Sequence, residues 1–113
     1  MATYNLNLQD RFFNYIKNGT KRIELRLYDE KRQKIQLNDD LVFTNSKGEQ
    51  LTAKVIGLLR YNNFDDLFKD FDIDTMADKS MTKEDLMSAL CEFYTSEKQA
   101  KYGVIGLRIQ LRD

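Results

Sequence analysis

The sequence predicts an α+β fold: a small mixed barrel of about five to six short strands with helices clustered on it. Three observations lead there. Ile23, Leu25 and Leu27 alternate with Arg22, Glu24 and Arg26, and the same period-2 pattern recurs in other short segments. Phe64, Leu67, Phe68 and Phe71 sit at helical spacing between those segments. Gly57 interrupts the longest apolar run, where a closing barrel needs a bulge or sharp bend. A chain of 113 residues supports one modest core, so a single domain over 1–113 is expected.

Taken in order, Tyr4, Leu6 and Leu8 alternate with Asn5 and Asn7 as an opening strand. A helix starts at Gln9 or Asp10 and buries Phe12, Phe13 and Ile16; Asn18-Gly19 ends it, with glycine suited to a left-handed cap. The strand to Tyr28 follows, then a densely charged loop or helical turn from Asp29 to Gln36. Asp40 to Thr44 is a strand with Leu41 and Phe43 on one face. A hairpin turn at Asn45–Glu49 leads to the strand carrying Leu51, Ala53 and Val55. Asn62 or Asn63 caps the phenylalanine-rich helix. Thr82 and Asp85 form a capping-box-like start to a further helix, with Leu86, Leu90 and Phe93 as its core face and Cys91 as a small buried filler. Ser96 to Tyr102 is a short helix stopped by Gly103. The last strand, Val104 to Leu111, turns Ile105, Leu107, Ile109 and Leu111 inward.

Composition narrows the chemistry. There is no histidine and one cysteine, which removes the commonest general base, the commonest zinc ligand and any internal disulfide. No metal and no cofactor are expected, and acid–base work falls to Lys, Glu, Asp or Tyr. The alternating acids Asp70, Asp72 and Asp74 lack the glycine and closing glutamate of a calcium loop. No apolar run is long enough for a bilayer, so a cytoplasmic protein without membrane attachment is the expectation. The zero net charge hides an asymmetry. Arg11 to Lys34 holds eight Lys/Arg against three Asp/Glu, and Asn63 to Asp85 holds eight Asp/Glu against three Lys. A basic mouth for phosphate with an acidic flank is the functional reading; solvated surface is the bland one.

The stretch Gly19 to Tyr28 concentrates the polar signal. Glu24 and Arg26 share a strand face, with Lys21 and Arg22 at the strand entrance. Strict alternation would put Lys21 on the apolar side with Ile23. Because Thr20 directly follows the glycine, Lys21 is expected in the turn, from where it can act together with Glu24. The spacing Gly-x-Lys-x-x-Glu-x-Arg, met by Gly19, Lys21, Glu24 and Arg26, resembles the signature of the ASCH domain family. The continuation resembles it too: a basic segment, a turn and a hydrophobic strand, with Asn38 where the family usually has glycine. Both residues tolerate a left-handed turn. The resemblance spans nearly the whole chain and implies a PUA-like β-barrel with a cleft beside the motif strand.

That resemblance implies an RNA or nucleotide/nucleoside ligand. Gly19, Lys21, Glu24, Arg26, Tyr28 and Tyr102 are the candidate binding residues, with Tyr94 a further stacking candidate. An alternative follows from one branch it is similar to, small bacterial amidohydrolases that remove the acetyl group of N4-acetylcytidine. They use a lysine at the position of Lys21, a threonine nucleophile where this chain has Glu24, and a distant glutamate falling near Lys79, with Asp78 and Glu84 close by. Only Lys21 carries over from that pattern, because glutamate cannot replace the threonine as acyl acceptor. Lys21 and Glu24 are the candidate catalytic residues through a different mechanism, a water activated by Glu24 and assisted by Lys21. A ribonuclease with Glu24 as base and an adaptor role for the acidic helices complete the alternatives.

Overall fold

Five strands pair in the order β1 (Thr3–Asn7), β3 (Asp40–Thr44), β4 (Gln50–Tyr61), β5 (Val104–Leu111) and β2 (Ile23–Leu27) in a computed structural model that describes residues 1–112. β1 runs parallel to β3, and every other pairing is antiparallel. Helix α1 (Asp10–Lys17) links the two end strands β1 and β2. Helices α2 (Phe64–Asp70), α3 (Ile73–Met76), α4 (Lys83–Cys91) and α5 (Ser96–Tyr102) fill the long connection from β4 to β5. The sheet curls into a half-barrel, and its end strands do not pair with each other, so a seam stays open between them. Among the described residues no helix is long and apolar enough to cross a membrane.

The two faces of the sheet bury separate cores. On one, Leu41, Phe43, Val55, Ile105, Leu107 and Ile109 pack around Phe13 and Ile16 of α1. On the other, Ile23, Leu25 and Leu27 pack with Val104 against Phe64, Leu67, Phe68, Met76 and Leu86 of the helical layer. Each fully buried side chain of this size contributes about 1.5–3 kcal/mol. A one-residue slip of β2 would exchange its apolar set for Glu24 and Arg26, so that face is strongly specified.

Local signals act where the sequence places them. Gly19 takes φ 87° and Asn38 takes φ 75°, the left-handed region expected at both turns. The β4–β5 register shifts between Val55 and Gly57, which is the expected bulge. Asn63 accepts from the Asp66 amide, and Thr82 and Asp85 form a reciprocal capping box. Gly106 leaves room for α2 to approach the sheet: a Cβ there would lie 3.0 Å from Ile23 Cγ2 and 3.3 Å from Leu67 Cδ1. Gly106→Ala is expected to cost about 1–3 kcal/mol by overpacking. A thermal melt reads this as a drop of several degrees, and an unchanged midpoint would show that the helices yield freely.

Two expectations are corrected. Phe93 is 54% exposed and Cys91 is exposed, where a buried core face and a buried filler were anticipated. α4 ends at Cys91, and the amides of Phe93 and Tyr94 both turn back onto the Leu90 carbonyl. Helical phase stops there, so Phe93 leaves the stripe; within α4 Leu86 is fully buried, whereas Leu90 faces a cleft and Cys91 a separate surface depression.

Candidate functional site

The turn after α1 sets the first charged side chain. The Lys21 amide donates to the Tyr15 carbonyl and the Arg22 amide to the Thr75 carbonyl, before β2 begins at Ile23. Lys21 thus lies in the turn, free of strand alternation. Its Nζ donates to the carbonyls of Ile23 and Met76, both at 2.6 Å, and lies 3.4 Å from Glu24 Oε1. Those acceptors match the three hydrogens of an ammonium, which is how a 3% exposed lysine is accommodated.

Glu24, also 3% exposed, sits between two cations. Its Oε2 accepts from Arg26 Nε at 2.8 Å and lies 2.8 Å from Arg26 Nη2. Arg26 Nη2 also donates to the Asn7 carbonyl at 2.7 Å, so this side chain bridges the open seam from β2 to the end of β1. The Tyr94 hydroxyl lies beside the same guanidinium. The Tyr28 amide bonds the Gly103 carbonyl, and the Ile109 amide bonds the Arg22 carbonyl. By antiparallel alternation, Glu24 and Arg26 have their backbones paired to β5, and the Leu25 peptide faces the free edge of β2.

The charges sustain one another. Burial pushes the Glu24 carboxyl up, but Arg26 and Lys21 outweigh it and hold the group below its usual 4.5. Burial pushes Lys21 below its usual 10.5, with Glu24 opposing. Burial also works against Arg26, and Glu24 more than offsets it, raising that group. A carboxyl held below its unfolded value stabilises the fold above that value and loses the contribution as pH falls through the folded one. The urea midpoint should therefore fall as pH drops below about 4.5. Glu24→Gln should flatten part of that slope, and an equally steep acid loss in the variant would assign it to other carboxylates.

Over this triad lies a cleft of about 420 Å³, within the range of small-ligand pockets. Phe12 of α1, Leu90 of α4 and the Phe93–Tyr94 pair line it, together with Lys21, Glu24 and Arg26 and the Leu25 position. The rim on the β1 side is held by Ser46, whose amide and hydroxyl donate to Asp10 at the start of α1. Polar charge lies at the buried bottom and apolar surface at the walls. Among the described residues no three His, Cys, Asp or Glu side chains are grouped to hold a metal ion.

The structure brings Lys21, Glu24 and Arg26 together with Tyr94 at one cleft, and sets Gly19, Tyr28, Tyr102, Asp78 and Glu84 elsewhere. Gly19 is exposed and shapes the turn without lining the cleft. Tyr28 and Tyr102 line a separate depression beyond the end of α4. Asp78 interacts with Ser80 and Thr20 in solvent, and Glu84 lines a third, shallower surface. Sequence reasoning missed Phe12, Leu90 and Phe93 as cleft walls, having assigned them to the core. The available signal was an aromatic pair, Phe93-Tyr94, placed just after a helix stops.

An open half-barrel with a buried cation–anion–cation triad at its seam is thus the class of fold and site. The chain belongs to the ASCH domain family, whose model matches residues 6–112. It is similar to the crystal structure of hypothetical protein PH0355, with 31% identity over 97% of this chain and 99% of that one, at a TM-score of 0.84. It is also similar to the solution NMR structure of protein PF0455 from Pyrococcus furiosus, with 31% identity, 98% of each chain covered and a TM-score of 0.76. No curated protein matches the chain.

Proposed function

We propose that this protein binds RNA or a nucleotide, with one base held in the cleft over Glu24 and Arg26. The observation that carries the reading is the pairing of an apolar, aromatic-walled slot with a fixed charged floor. A base needs flat apolar contact for its faces and hydrogen-bonding groups for its edge. Phe12, Phe93 and Tyr94 supply the first. Glu24 and the Leu25 peptide supply acceptors and a donor at the edge of β2. Two cations against one anion leave a single net positive charge for a neighbouring phosphate, which suits a short ligand better than a whole-surface polyanion.

Phe93 offers a test that leaves the buried network alone, since its side chain is largely in solvent. Phe93→Ala should weaken binding of cytidine 5′-monophosphate and single-stranded RNA by about 1–3 kcal/mol, the value of one base–aromatic stack. Its melting temperature should match the parent's. Equal affinity in the variant, or no saturable binding by the parent, removes the proposal. Arg26→Ala and Lys21→Ala are expected to abolish binding as well, with folding checked by circular dichroism.

The amidohydrolase reading draws on one feature, the lowering of Lys21 by burial, which is what a lysine base requires. The geometry favours binding over it. Lys21 is engaged by three acceptors, Glu24 takes the place of the threonine, and neither Asp78 nor Glu84 lines the cleft. Incubation with N4-acetylcytidine is expected to release no acetate; release that Lys21→Ala stops would reinstate catalysis.

A further inference from the structure

We infer that the depression between the end of β2 and α5 is a second nucleotide subsite, so that the protein holds at least two successive nucleotides of a single-stranded RNA. This rests on the reading of the cleft given above. The depression encloses about 1040 Å³, more than the cleft itself. Its distinguishing feature is Arg60, whose guanidinium carbon lies 4.1 Å from the centroid of the Tyr28 ring. That distance is within cation–π range, and a guanidinium held over a ring keeps its N–H groups at the edge of its own plane. Among the described residues Arg60 makes neither an ion pair nor a side-chain hydrogen bond. Lys101 Nζ lies 5.1 Å from the Tyr102 ring centroid, a second cation–aromatic pair lining the same depression.

Asp65 and Asp66 also line this surface, with Asp66 paired to Lys69. A polyphosphate would be repelled by them. A base stacked on the Tyr28–Arg60 plane, with one phosphodiester against the guanidinium edge, would not. The two sites lie close together along the chain. Arg26 and Tyr28 are two residues apart at the end of β2, about 7 Å along an extended backbone. The last turn of α4 stands between the sites, with Leu90 on the cleft side and Cys91 on the depression side. RNA leaving the cleft past Arg26 would reach Tyr28 and Arg60 next.

Arg60 is exposed, so Arg60→Ala removes the clamp without opening a core. Fluorescence anisotropy would compare cytidine 5′-monophosphate with an oligocytidylate of several nucleotides. The parent should bind the oligonucleotide more tightly than the mononucleotide. In Arg60→Ala the oligonucleotide should bind about ten-fold more weakly, the scale of a lost stack. Its salt slope should fall by about 0.7, as for one lost single-strand phosphate contact. Mononucleotide affinity should stay unchanged. An oligonucleotide affinity indifferent to Arg60→Ala overturns the second subsite while leaving the cleft reading intact. Oligonucleotide binding that needs Arg60 but not Phe93 retains the subsite and removes the cleft. No binding of either ligand removes both.

Discussion

Glu24→Ala should cost about 3–5 kcal/mol of folding stability, the penalty for removing one partner of a buried charge network. The reason lies in what is left behind. Lys21 and Arg26 would remain as two buried cations whose shared counterion is gone. Lys21 keeps its two carbonyl acceptors, which satisfy hydrogens without neutralising charge. Arg26 keeps the Asn7 carbonyl, so its pull on the seam would persist without Glu24 to hold it in place. Small domains have about 5–15 kcal/mol in total, so the variant should sit close to its unfolding threshold. Urea unfolding should show a much lower midpoint with an unchanged slope. A midpoint within experimental error of the parent's would mean that solvent compensates the cations, and the triad would not be a buried network at all.

Phe64→Ala should be of similar size, about 3–5 kcal/mol, through loss of a fully buried aromatic and the cavity it leaves. Phe64 opens α2, with its ring centroid 6.3 Å from Phe68 and 6.0 Å from Tyr94. Its amide is capped by Gln99 Oε1, while Gln99 Nε2 holds the Tyr94 carbonyl. Core packing and the cleft wall are thereby joined through one residue. The variant should lose ligand affinity as well as stability, because Tyr94 stands beside Arg26 on the cleft. Phe64→Leu, which keeps most of the volume, should recover most of both losses. Lost stability with full affinity would show that the wall is held independently of the helical core.

The motif strand was readable because its determinants are local. Alternation placed Glu24 and Arg26 on one face, and the glycine turn released Lys21 from that alternation. Asn38, Gly57, Asn63 and Thr82 likewise act through backbone geometry or caps within a few residues of themselves. The cleft walls were not readable because they depend on where α4 stops. Within α4 phase buries Leu86, but Leu90 and Cys91 face the cleft and the depression; beyond the helix Phe93 follows a turn and lines the cleft. Residue type alone groups Tyr28 and Tyr102 with the triad, whereas they line a different depression, with α4 contributing to both. The bridge from Arg26 to Asn7 was also hidden, since it joins strands at opposite ends of the sheet order.

The most direct test is to map amide chemical shifts while titrating the labelled protein with cytidine 5′-monophosphate. A base held in the cleft produces saturable changes at Phe12, Leu25, Arg26, Phe93 and Tyr94. Saturation with shifts confined to other surfaces, or no saturation at millimolar ligand, would contradict it.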